Sequence, residues 1–75
     1  MTDKIIKIIA EKLNLEEKNI TVDANFGEDL GIDSLDLFEL VIALEEEFDI
    51  EIPQEDVANI QTVNDVESYL KSRGL

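Results

Sequence analysis

The 75-residue chain contains no cysteine and no histidine. Without cysteine it can form neither a disulfide nor a thiolate metal site, and without histidine it lacks the commonest zinc ligand and the commonest general base. A chain of this length is expected to form one small domain, residues 1–75, whose fold depends on apolar packing alone. We do not expect an enzyme, because these chemical groups are missing and so short a chain offers little room for an active-site cleft.

Long apolar runs are also missing. The amino-terminal stretch MTDKIIKIIAEKL interrupts its apolar residues with polar ones, so it lacks the continuous apolar segment of a signal peptide or a membrane span. The sequence therefore predicts a cytoplasmic protein that does not insert into membranes.

Basic residues are scarce and unevenly placed. The chain has 6 Lys and Arg against 19 Asp and Glu, which gives a net charge of −13. The segment 19–70 contains no Lys or Arg and carries 15 of the acids. A negative field of this kind repels nucleic acids and anionic lipids and attracts proteins with basic patches. We therefore expect protein partners and no nucleic acid.

Apolar spacing predicts three principal helices. The first runs from Thr2, a candidate cap, to about Leu13, and the second from the candidate cap Asp33 to about Asp49. The third begins after Thr62, which with Asp65 resembles a capping box, and closes near Gly74.

The connections contribute one more helical element. The long segment 14–32 reads as a loop whose isolated apolar residues hold it to the core. Pro53, at a tolerated first-turn position, opens a short acidic turn or helix through Ile60. Nothing reads clearly as a strand. The predicted fold class is all-α: a small bundle of three principal helices plus one short helix.

Ser34 lies between two aspartates in the first turn of the second helix. Unpaired backbone N–H groups and the helix dipole favour a phosphate at such a position. With no histidine to activate it, the hydroxyl is a poor nucleophile by itself, yet it can accept a group from another enzyme. On position alone, a lone serine near a helix cap is far more often an ordinary helix-start residue, and only the surrounding pattern favours a modified one.

The wider block FGEDLGIDSLDLFELVIALEEEFDIEIP, Phe26 to Pro53, resembles the acyl carrier proteins of bacterial fatty acid synthesis. The resemblance implies that Ser34, flanked by Asp33 and Leu35, carries 4′-phosphopantetheine. A phosphopantetheinyl transferase (holo-acyl carrier protein synthase) would attach this group covalently from coenzyme A. Acyl chains would then be bound to its thiol as thioesters and delivered to enzymes of fatty acid biosynthesis. We expect the protein to be a monomer.

The second helix carries two separate apolar stripes. Leu37, Leu40, Val41, Leu44 and Phe48 form the stripe that should face the core, and Leu35, Phe38 and Ile42 form a second one. We expect the second stripe to face partner enzymes with basic patches, although it could instead be core against the long loop. The predicted partner-binding residues are Asp36, Phe38, Glu39, Ile42, Glu45, Glu46, Glu55 and Asp56.

Two further expectations concern cargo and metal ions. The aliphatic interior should part to admit an acyl chain, and its predicted members are Ile9, Leu40, Val41, Leu44, Ile60 and Val66. Asp23, Asn25 and Gly27 hint at a calcium loop, but Glu28 occupies the position of its required glycine, so no specific metal site is predicted.

Two alternatives remain open. An aminoacyl or polyketide carrier would use the same modified serine, and an acidic interaction module would never be modified.

Overall fold

The computed structural model describes all residues, 1–75, as an all-α fold without strands. Its helices are α1 (Thr2–Leu13), a 3-10 helix (Glu17–Asn19), α2 (Ser34–Phe48), α3 (Gln54–Val57) and α4 (Val63–Ser72). The predicted bundle of three principal helices and one short helix, with a long connection between the first two principal helices, is confirmed. None of the helices combines the length and apolar character needed to cross a membrane.

The core is a single apolar cluster in which α1 packs against both α2 and α4. No polar or charged side chain is buried in it. The side chains that are almost completely buried are Ile5, Ile9, Leu40, Leu44, Val63, Val66 and Leu70. All six residues predicted to form the aliphatic interior belong to this cluster.

The long connection between α1 and α2 is held against the rest of the molecule. Ile20 and Phe26 are buried, as predicted for apolar residues that attach the loop to the core. The Phe26 N–H donates to the Gln61 carbonyl (2.8 Å), and the Asn64 N–H donates to the Val22 carbonyl (3.1 Å). The loop is therefore fixed to the α3–α4 connection and to the start of α4.

The start of α4 has the predicted capping box. The Thr62 hydroxyl accepts a hydrogen bond from the Asp65 N–H (3.1 Å), and the Asp65 carboxylate accepts one from the Thr62 N–H (3.2 Å). Both backbone donors would otherwise lack a partner at the helix end. Gly74 lies just after α4 and has a φ of 87°, in the left-handed region that glycine adopts without strain. Helices commonly end at a glycine in this conformation.

Two predicted helix starts are wrong in detail. Thr2 is the first residue of α1 rather than its cap, Met1 occupies the capping position, and the Thr2 hydroxyl donates to the Glu67 carboxylate on α4. A residue with helical backbone cannot place its side chain as a cap, so the hydroxyl bonds across the bundle instead. Pro53 precedes α3 as its capping residue and does not lie in its first turn.

A three-residue polar contact joins α3 to the end of α4. The Tyr69 hydroxyl donates to the Asp56 carboxylate (2.8 Å), and Arg73 donates to the Tyr69 hydroxyl (2.6 Å) and to the same carboxylate (3.3 Å). Partial burial raises the pKa of Tyr69, and the hydrogen bond to the Asp56 carboxylate raises that pKa further. The neutral phenol is therefore the form that holds α3 in place.

We predict that Thr62→Ala lowers the free energy of unfolding by about 1 kcal/mol, because it removes the cap of α4. Urea unfolding followed by circular dichroism measures this loss. Ser68→Ala is the matched control, since Ser68 is exposed on the same helix. Equal unfolding midpoints for the two variants would show that the capping box does not stabilise the fold.

We also predict that the protein loses stability as the pH rises above about 10. The folded state raises the pKa of Tyr69, so it holds the phenol proton more tightly than the unfolded chain does. This contribution is present below the ordinary tyrosine pKa of 10.0 and is lost as the pH passes through the raised pKa of Tyr69.

Urea unfolding of the wild type and of Tyr69→Phe on both sides of that pH measures the effect. The difference in unfolding free energy between the two proteins should shrink at the higher pH. Since the chain has 1 tyrosine, phenolate absorbance reports the pKa of Tyr69 directly. A midpoint at or below 10.0 in the folded protein would contradict the contact described above.

Candidate functional site

Ser34 is the first residue of α2 and is exposed to solvent. Asp33 precedes it in extended backbone, and the Asp33 carboxylate accepts a hydrogen bond from the Asp36 N–H (2.9 Å). The Ser34 hydroxyl takes part in none of the side-chain hydrogen bonds of the molecule. It is therefore free to be reached by another protein's active site.

The backbone around Ser34 favours an anion. The Leu37 N–H begins the helical bonding by donating to the Asp33 carbonyl (3.0 Å), so the N–H groups of Ser34 and Leu35 come before the first intrahelical bond. The helix dipole adds partial positive charge at this end. Because segment 19–70 has no Lys or Arg, the helix end is the main source of positive potential that this segment offers to a phosphate on Ser34.

The two apolar stripes of α2 face different surroundings. Leu40, Val41 and Leu44 are buried in the core. Leu35, Phe38 and Ile42 are 70%, 43% and 53% exposed. The alternative in which the second stripe is also core is therefore wrong. Together with Met1 and Leu75 at the chain ends, these three side chains are the large apolar groups that the protein leaves in solvent.

Acidic side chains lie beside this exposed stripe. Glu39 and Glu46 are exposed and form no ion pair, although Lys12 lines the same shallow cleft with them and with Ile42. Glu47 is paired with Lys4 (3.4 Å). The last turn of α2 contains no basic residue, although the negative end of the helix dipole favours one there. The unpaired acids therefore do not serve the stability of the helix.

Other predicted partner-binding residues have contacts within the protein. Glu45 is partly buried, and its carboxylate accepts a hydrogen bond from the Ile52 N–H (2.8 Å) in the α2–α3 connection. Asp56 is bound by Tyr69 and Arg73. Glu55 is exposed and unpaired, and Asp36 is partly buried.

A cleft of about 130 Å³ opens beside Ser34. Its walls come from the long loop, the first turn of α2 and the α3–α4 connection, and it is lined by Asn25, Phe26, Gly27, Ile32, Asp33, Ser34, Leu37, Ile60 and Gln61. The space extends from the serine over apolar side chains, and a Cβ added at Gly27 would meet no closer neighbour than 3.6 Å. The surroundings of Ser34 therefore fit a flexible group attached to its oxygen.

Several of these residues were not predicted to have a role. Asn25 was noted only as part of the incomplete calcium-loop pattern; its side-chain oxygen instead accepts from the N–H groups of Gly27 and Glu28 (both 3.0 Å) in a turn that asparagine favours. Gln61 and the bond between Glu45 and Ile52 have no local sequence signal. Both depend on how distant segments meet in the fold.

Comparison with known proteins agrees with this site. A family model described as a phosphopantetheine attachment site matches residues 3–70. The acyl carrier protein of Bdellovibrio bacteriovorus is 51% identical over 71 residues, which cover 95% of this chain and 91% of that protein. The acyl carrier protein of Clostridium perfringens is 51% identical over 70 residues, with 93% and 92% coverage.

A solved structure also matches the whole fold. A Mycobacterium tuberculosis chain, assigned as an acyl carrier protein, superposes with a TM-score of 0.86 at 39% identity and 96% coverage of both chains. The similarity therefore extends over sequence, fold and the region around the serine. The chain belongs to the acyl carrier protein family, whose members are carriers rather than enzymes, and its residues 3–70 form the phosphopantetheine attachment domain on which such proteins carry acyl chains.

Proposed function

We propose that this protein delivers acyl intermediates to enzymes of fatty acid biosynthesis, on a 4′-phosphopantetheine arm attached to Ser34. One observation supports this assignment above the others: an exposed serine hydroxyl without a hydrogen bond lies at the capped start of α2, within the residues matched by the attachment-site family. Residues 1–75 act as one carrier domain. The arm supplies the thiol that the cysteine-free chain lacks.

The chain's own contribution is to present and orient this attachment point. Asp33 holds the first turn of α2 by accepting from the Asp36 N–H, so the position of the Ser34 oxygen is set by a short and rigid piece of backbone. A phosphopantetheinyl transferase that uses coenzyme A needs access to that oxygen. The helix end then favours the attached phosphate.

The partner enzymes dock on the exposed face of α2. Leu35, Phe38 and Ile42 provide apolar contact area, and fully burying such side chains is worth about 1.5 to 3 kcal/mol each. Glu39 and Glu46, which lack ion pairs, attract basic patches and speed the encounter. Exposed Glu55 extends the acidic surface onto α3.

Glu45 and Asp56 take a smaller part in docking than their charge suggests. Glu45 holds the α2–α3 connection through Ile52, and Asp56 is neutralised by Arg73. A charge reversal at either position would therefore disturb the fold as well as the electrostatic field that attracts basic partners. Tests of electrostatic steering therefore belong at Glu39 and Glu46.

The names of the similar proteins support an acyl rather than an aminoacyl cargo, since they are named acyl carrier proteins.

Before transfer, the acyl chain enters the aliphatic interior around Leu44 and Ile60. The clefts of this molecule all open at its surface, so entry requires the helices to part.

Incubation with coenzyme A and a phosphopantetheinyl transferase should add one phosphopantetheine mass to the protein, located at Ser34 by fragmentation. Ser34→Ala should stay unmodified, and Ser68→Ala, which alters an exposed serine on α4, should be modified like the wild type. Modification at another residue, or none in a folded sample, would refute the assignment of Ser34.

Glu39→Lys should slow association with a basic partner such as the transferase, by roughly threefold or more at low salt, because it reverses a charge on the helix that begins with Ser34. Stopped-flow measurement at low and high salt checks this, since screening should reduce the difference. Glu17→Lys makes the same charge change on the 3-10 helix after α1. Equal rates for the two variants would exclude steering by the α2 face.

A further inference from the structure

Gly27 lines the cleft beside Ser34 and contributes no side chain to it. Glycine is not required there by the backbone: the glycines with positive φ are Gly31 (69°) and Gly74 (87°), and Gly27 is not among them. Crowding does not require it either, since a Cβ on Gly27 would lie 3.6 Å from Asn25 Oδ1 and 3.8 Å from the Ile32 carbonyl, both ordinary contacts. Neither backbone conformation nor crowding therefore explains the glycine, which leaves part of the cleft wall without a side chain.

The size of the cleft limits what can fill it. Its volume of about 130 Å³ is close to that of an engineered apolar protein cavity of about 150 Å³ that binds benzene. A complete prosthetic arm or a long acyl chain would not fit in such a space. One compact branched group of about six carbons would.

The lining defines the chemistry of that group. Phe26 and Ile60 are buried beneath the cleft, and Ile32 and Leu37 are partly buried beside it, so its floor is apolar. The side-chain amide of Gln61 lies at the rim in long hydrogen bonds, 3.3 Å to the Ala58 carbonyl and 3.4 Å from Asn25. Such exposed, long bonds exchange readily for bonds to a ligand.

We propose that this cleft holds the pantoyl unit of the prosthetic arm and that Gly27 keeps the cleft open for it. The inference rests on the proposed attachment of the arm to Ser34. The pantoyl unit is the segment next to the phosphate, and it combines paired methyl groups with a hydroxyl and an amide. Ser34 itself lines the cleft, so the segment directly after its phosphate is the part within reach. The methyl groups lie over Ile32, Leu37 and Ile60, and the Gln61 amide bonds the polar groups.

The test uses the holo-protein of the wild type, Gly27→Ala and Gly27→Val, each prepared with coenzyme A and a transferase. Mass spectrometry first establishes whether the arm is on Ser34. Isotope-filtered NMR then measures nuclear Overhauser effects between the pantoyl methyl protons and the methyl groups of Ile32, Leu37 and Ile60. Glu28→Val is the matched control, because it places the same side chain on the neighbouring loop residue, which does not line the cleft.

We expect these effects in the wild type and in Glu28→Val, weaker ones in Gly27→Ala, and none in Gly27→Val. An arm on Ser34 of the wild type without any such effect would overturn the inference and leave the proposed function standing. Effects of equal strength in a folded Gly27→Val would overturn the role of Gly27. An unmodified Ser34 would contradict the proposed function itself, and with it this inference.

Discussion

The hydrogen bond from the Asp36 N–H to the Asp33 carboxylate sets where α2 begins, and the functional surface depends on that start. It leaves Ser34 as the first helical residue, exposed and beside N–H groups without intrahelical partners. From there the helical repeat turns Leu40 and Leu44 into the core and leaves Phe38 and Ile42 in solvent. One capping interaction thus relates the proposed attachment point to the face on which we propose that partner enzymes dock.

Much of the charge in this protein is placed where it does not stabilise the fold. The last turn of α2 carries acids where its dipole favours bases, and the net charge of −13 adds repulsion over the whole surface. Local bonds offset part of this cost: Lys4 pairs with Glu47, Glu45 accepts from the Ile52 N–H, and Arg73 pairs with Asp56. The acids without such partners, Glu39 among them, are those to which we assign the proposed binding of other proteins.

Local signals predict most of the fold and the position of Ser34 at the start of α2. Apolar spacing predicts α1, α2 and α4. The sequence also predicts the caps Asp33 and Thr62 correctly, because a cap depends on residues close to it in the chain. Contacts between distant segments were not predictable: Thr2 donates to Glu67 across the bundle rather than capping α1, and Glu45 binds the α2–α3 connection. The cleft beside Ser34 likewise appears only when three separate segments meet.

The carrier role depends most on the chemical state of Ser34 in the living cell. Fragment mass spectrometry of the protein purified directly from the cells that make it measures this state without an added enzyme. We predict that the peptide containing Ser34 carries phosphopantetheine, free or acylated, in a substantial fraction of molecules. Finding that peptide unmodified in every molecule, in cells that actively synthesise lipid, would contradict it.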